Sequence, residues 1–219
     1  MKYILIGLML SLILFGCKKE DPTCNQVREA PKEFLDYFYF NKGSWWVYQL
    51  RGTTQYDTVR VTATEKRFHD LDTRGLEQCV NFYSIYLTHS NQYYFQGKDF
   101  HKSAEYLSAS PLSGTDNWYI QWSIFSVNNT SPGILFHYPY VFNEPLFQGE
   151  GMIIDEGPIY TPIQRFDSTV TVLSGRYNQT DSLIYNSIKR IYLTPKVGVI
   201  RVDYLNNMTW ELVNYKLQP

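Results

Sequence analysis

Cysteine is scarce in this chain, alanine is nearly missing from its body, and neither sign of charge dominates. Three cysteines occur among 219 residues, and no Cys-x-x-Cys spacing links them. A dithiol redox motif and a thiolate zinc site are therefore both without a basis. Twenty Lys+Arg face 21 Asp+Glu, a formal charge of −1. That balance leaves no basic footprint, so nucleic acid is not an expected partner. The four histidines, His69, His89, His101 and His137, stand far apart without an HxH or HExxH pair, and no metal site is expected. There is no GxSxG, no SxxK, and no Walker or Rossmann glycine pattern. The chain thus names no catalytic residue and no cofactor. Only 19% of residues are charged while 17% are aromatic, which excludes a disordered or coiled-coil chain.

Long apolar runs are also lacking, with one exception. Tyr3 to Phe15 is continuous and apolar behind Lys2, yet it falls short of the roughly 20 residues that a spanning helix needs. It reads as the core of a secretion signal. Leu14-Phe15-Gly16-Cys17 directly follows and resembles the bacterial lipobox. The resemblance implies cleavage before Cys17, a lipidated thiol and an acylated (palmitate-type) amine. Two or more acyl chains anchor stably where one is marginal, so the membrane is the expected partner through the N-terminal lipid. Lys18-Lys19-Glu20-Asp21 is similar to the surface-export signal of Bacteroidetes lipoproteins. The expected location is the outer membrane, surface-exposed or facing the periplasm. The expected divisions are a signal at 1–16, a lipidated tether at 17–33 and a β-rich domain at 34–219.

With Cys17 assigned to lipid, Cys24 and Cys79 remain. In an oxidising compartment they can pair. The bridge would close about 55 residues and stabilise by at most roughly 4 kcal/mol. Alternatively, Cys79 is a buried thiol and Cys24 is unpaired.

The body of the chain has a β texture. Beyond the tether, alanine occurs only at Ala63, Ala104 and Ala109, and Thr, Val, Ile and Tyr take its place, side chains suited to a pleated sheet. Alternation is clearest at Thr58 to Thr64, with Val59, Val61 and Ala63 on one face. Further runs are Trp45–Arg51, Cys79–Thr88, Gln92–Gln96, Trp118–Val127, Ile134–Val141, Ser168–Leu173, Leu183–Leu193, Val199–Leu205 and Thr209–Leu217. Turn signals separate them, among them Asn206-Asn207, whose residues tolerate positive φ. Ala30 to Phe38, with Pro31 early, predicts one or two helical turns. Residues 143–165 carry three prolines and read as a long connection. The expected fold is a single all-β domain, an antiparallel sandwich or open barrel of about ten strands.

Tyr39-Phe40-Asn41-Lys42-Gly43-Ser44-Trp45-Trp46-Val47-Tyr48 resembles the opening of a group of uncharacterised Bacteroidetes lipoproteins. Gly175-Arg176-Tyr177-Asn178 and Ile191 to Arg201, through Val197-Gly198-Val199-Ile200, are similar to segments near the other end of that group. Thr194 stands where Ala is usual in that group. The resemblance implies a β-rich exported domain and no particular reaction. The motif residues also have plain structural roles. Gly43 and Gly198 suit tight turns, and Trp46, Tyr48 and Leu50 would share one face as core anchors.

Among groups that could carry chemistry, Trp118, Tyr119 and Trp122 are candidate ligand-binding residues, since exposed aromatic faces stack on sugars. Burial in a sheet core is the competing reading. Glu144, Glu150, Asp155 and Glu156 are the only clustered acids available for glycoside hydrolysis. His69-Asp70-Leu71-Asp72 reads as a solvated loop. Asp57-Thr58, Asp167-Ser168 and Asp181-Ser182 match a short O-glycosylation pattern of exported proteins, with Ser182 the preferred acceptor. The expectation is a non-enzymatic binding or envelope-structural module that contacts a glycan or envelope protein. A barrel-like carrier of a hydrophobic ligand and a glycan hydrolase are the alternatives.

Overall fold

A computed structural model describes residues 27–73, 76–90, 104–111, 117–125, 130–144, 151–174, 188–204 and 207–219. Within these the chain is almost entirely β. A single short helix, α1 (Lys32–Leu35), has Pro31 as its N-terminal flank. The strands are β1 (Val27–Arg28), β2 (Trp45–Leu50), β3 (Tyr56–Thr73), β4 (Leu76–His89), β5 (Ala104–Pro111), β6 (Trp118–Phe125) and β7 (Thr130–Tyr138). They continue with β8 (Gly151–Ile154), β9 (Ile159–Tyr160), β10 (Arg165–Phe166), β11 (Val170–Ser174), β12 (Ile188–Thr194), β13 (Gly198–Tyr204) and β14 (Thr209–Lys216).

One sheet holds every strand except the β9–β10 hairpin. Its order is β7-β6-β5-β4-β3-β2-β14-β13-β12-β11-β8, with β1 added parallel to β4. All its other pairings are antiparallel. The first and last long strands, β2 and β14, lie side by side, which joins the two halves of the chain. The ladder is not closed, but Asn143 N–H donates to the Ile153 carbonyl at 2.7 Å, bringing the segment after β7 against β8. The result is an open all-β architecture around one core.

That core follows from alternation. Val59 and Val61 on β3, Ile191 and Leu193 on β12, Ile200 and Val202 on β13, and Trp210 and Leu212 on β14 are buried together. Trp46 and Tyr48 join them, and each spends its polar atom on β13's approach: Trp46 Nε1 donates to the Val197 carbonyl at 2.7 Å, Tyr48 Oη to that of Val199 at 2.8 Å. Two tight turns need unusual backbone. Gly43 has φ +92° and Gly198 φ +90°, a region open to glycine at little cost. At Gly198 a Cβ would also meet Phe40 Cε2 at 2.9 Å.

The helix plugs one end of the molecule. Phe34 is fully buried, with its ring 6.0 Å from Phe136 and 6.4 Å from Trp118. The Asp36 carbonyl accepts from Lys196 N–H at 2.7 Å, tying the helix to the β12–β13 turn. The tether approaches this same end, because Val27 lies opposite Cys79 and Arg28 opposite Val80, near where β4 begins. Glu29 clamps the entry: its carboxylate accepts from Asn81 Nδ2 at 2.7 Å, from Lys66 Nζ at 3.0 Å and from the Tyr83 hydroxyl. Burial opposes ionisation of Glu29, and these bonds outweigh it, leaving the carboxyl below its ordinary value.

Several expectations are refined. The packed body begins at Val27 rather than at Phe34, since β1 pairs with β4 and Ala30 belongs to the core. Residues 143–165 are not one connection: β8 and the β9–β10 hairpin interrupt them. His69-Asp70-Leu71-Asp72 lies in β3, paired with β4, not in a loop. Gln92–Gln96, Gly175–Asn178 and Ser182 lie outside the described residues. No helix among the described residues is long and apolar enough to cross a membrane.

Candidate functional site

The strand directions separate a tether end, where α1 sits, from a far end. At the far end β2 finishes at Leu50, β3 starts at Tyr56, β4 finishes at His89 and the β13–β14 turn lies. Among the described residues, buried polar groups gather there on both faces of the sheet.

The first points inward. Asp57 shares a face with Val59 and Val61 and is fully buried. His89 pairs with Val59 across β3–β4, which makes Asp57 and His89 diagonal neighbours. His89 Nδ1 lies 2.6 Å from Asp57 Oδ2, with side-chain exposures of 7% and 0%. Ser90 Oγ donates to Asp57 Oδ1 at 3.3 Å and accepts from Thr58 N–H at 2.8 Å. The carboxylate can therefore fix the imidazole's tautomer and orientation. The hydroxyl contacts the acid rather than the imidazole, so the three do not form a nucleophile–base–acid relay.

The second group lies on the face turned away from Val202 and Trp210. Asp203 accepts from Arg201 Nε at 2.8 Å and Nη2 at 2.9 Å, from Tyr192 Oη at 2.9 Å and from Thr209 Oγ1 at 2.9 Å. Burial alone would raise the Asp203 pKa. The Arg201, Tyr192 and Thr209 hydrogen bonds and the Arg201 charge outweigh it, holding the carboxyl below 3.8. Burial and the Asp203 contact push the Tyr192 hydroxyl well above its ordinary range. Arg201 also lies over the Tyr192 ring at 4.9 Å, a cation–π contact. Beside it Glu211, opposite Arg201 in the ladder, takes both a 3.0 Å and a 2.5 Å bond from Arg51.

The aromatic candidates divide. Trp118 is 2% exposed and packs against Phe34 and Tyr83, so it is core and offers no face to a sugar. Tyr119 is half-buried on the opposite side of β6. The Trp122 side chain lies outside the described residues. Of the clustered acids, Asp155 accepts from Gly157 N–H at 2.8 Å, and Glu156 faces Arg190 at 3.3 Å. Glu144 is exposed, and Glu150 lies outside the described residues. The three described acids, Asp155, Glu156 and Glu144, serve a turn, an ion pair and solvent.

No cluster of three potential ligands for a metal ion occurs among the described residues. Cys79 is buried and disulfide-bonded, while Cys17 and Cys24 lie outside the described residues. His137 on β7 is half-buried, with Nδ1 lacking a hydrogen-bond partner. Burial lowers its pKa against a weaker opposing pull from Glu144. Of the buried acids at the far end, the sequence marks Asp57 only within an O-glycosylation pattern and does not mark Asp203 or Glu211. The signal was present at Asp57, a charged residue two positions before Val59 on the apolar face.

Compared with protein-family models, curated proteins and solved structures, the chain matches none.

Proposed function

We propose that the protein is a lipid-anchored, non-enzymatic binding module of the bacterial outer membrane, with Cys17 as the lipidated residue. Its far end contacts a glycan or envelope protein. The observation that carries this reading is the polarity of the molecule. The tether joins the end filled by α1, and the buried Asp57–His89 contact and the part-buried Asp203–Arg201 pair lie at the other. Buried polar pairs seldom improve stability over apolar packing, so their gathering at one end favours recognition over architecture. The disulfide of Cys79 fits the same reading: with Cys17 taken by lipid, Cys24 is its partner, three residues before the strand that meets Cys79. The bridge would then pull the anchor's leash onto the body.

The test is a glycan-array and envelope-polymer binding assay on the mature protein. The reading expects saturable binding that Arg51→Ala or Tyr56→Ala, at the far end, weakens about tenfold (~1.4 kcal/mol). Phe142→Ala, at the tether end, should leave it unchanged. Absence of binding to every glycan and envelope component would leave a structural role and overturn the proposal.

A further inference from the structure

Large apolar side chains stand exposed at the tether end. Val27 begins β1. Phe68 is on β3 opposite Asn81, two rungs from Cys79. Val141 and Phe142 follow β7, whose last residue, Tyr138, packs on Phe34. Tyr160 and Ile163 belong to the connection between Ile154 and Val170, which leaves and re-enters the sheet beside the β12–β13 turn. Their exposures run from 38% to 62%. Exposed apolar groups at one end of a molecule suit a protein or membrane contact.

The position of the anchor selects between these. The chain from Cys17 to Val27 reaches at most about 35 Å when fully extended, and Cys24 is within it. A tethered body held so near a bilayer experiences a high effective concentration of lipid, so weak surface affinity is enough to seat it. The chemistry suits the acyl–headgroup boundary. Tyr160 presents an amphipathic ring with the Arg165 guanidinium 5.8 Å from its centroid. Such a pair can leave its cation among headgroups while the ring goes deeper. Phe142 packs edge-on against Tyr140, which itself contacts Phe136, so it is held on a rigid base.

We propose that the tether end rests on the lipid surface, with Phe142 and Tyr160 entering the acyl boundary. Val27, Phe68, Val141 and Ile163 are exposed at the same end. The inference rests on the lipid anchor proposed above and deepens it: the anchor then sets orientation as well as location, turning the Asp57–His89 end away from the membrane.

The test uses lipidated mature protein reconstituted in phosphatidylcholine vesicles with or without brominated acyl chains. Phe142→Trp, Tyr160→Trp and, at the far end, Tyr56→Trp are compared after subtracting parent emission. All three positions are exposed, and unchanged near-ultraviolet dichroism verifies each fold. The proposal expects bromolipid to quench the added emission at 142 and 160 about twofold or more beyond that at 56. Equal quenching at the three sites, with the protein still floating with vesicles, overturns the docking and leaves the anchor intact. Failure to float overturns both.

Discussion

Asp57 and His89, thirty-two positions apart in sequence, meet at 2.6 Å inside the far end of the sheet. The pair sits on the same apolar face as Val59 and Val61 and is almost wholly withdrawn from water. Removing one partner costs the other this buried hydrogen bond. Asp57→Ala is expected to cost about 2 kcal/mol. The Asp57→Ala/His89→Ala double variant should cost little more than Asp57→Ala alone, because the contact is already lost. Urea midpoints at unchanged slope measure both. Additive losses would show that the two side chains act independently.

Asp203 gives the protein an acid-sensitive element. Its carboxyl titrates below the ordinary 3.8, so between these two values the unfolded chain binds more protons than the folded one. The stabilisation is therefore complete above about pH 4 and is lost as pH falls through the lowered folded value. Asp203→Asn should reduce stability at neutral pH and flatten the loss seen on acidification below about pH 4. Denaturant titrations across pH 2–7 compare the slopes. An unchanged acid limb would mean that other carboxyls govern it.

The β1–β4 junction depends on Cys79. If Cys24 is the partner, Cys24→Ser and Cys79→Ser each remove the same bridge and lower stability by up to roughly 4 kcal/mol. Reduction with a phosphine should bring the parent to the level of the variants. Peptide mapping under non-reducing conditions identifies the linked pair. A loss confined to Cys79→Ser would point to burial of that side chain rather than to the bridge.

Gly198→Ala should destabilise by about 1–3 kcal/mol. The backbone there is at φ +90°, and the new methyl would press on Phe40. Gly52→Ala, also at positive φ but with nothing near its Cβ, should cost less. Thermal midpoints order the two. Equal shifts would assign the whole effect to backbone strain.

Legibility in the sequence followed the strength of local patterns. Val59-x-Val61 and Trp46-x-Tyr48 alternate cleanly, and each lies buried on one face. Asn207 adopts φ +63° at the expected hairpin, and Gly43 and Gly198 take the turn conformations their positions demanded. Weak patterns were missed. β5 reads Ala-Glu-Tyr-Leu-Ser-Ala-Ser-Pro, poor in β-branched residues, and is held by pairing to β4 and β6. β8 is four residues within a proline-bearing stretch, stabilised by β11. The site was harder still: Asp57 with His89, and Arg51 with Glu211, join distant segments through sheet register, which no local spacing encodes. Trp118 shows the reverse, since alternation could give its side of the strand but not that α1 would cover that side.

The most direct measurement of the central proposal is intact-mass and fragment-ion analysis of the mature protein extracted from membranes. The account predicts a chain starting at Cys17 whose first residue alone carries diacylglycerol on sulfur and an acyl group on nitrogen. A mature terminus at any other residue, or an unmodified Cys17, would contradict it.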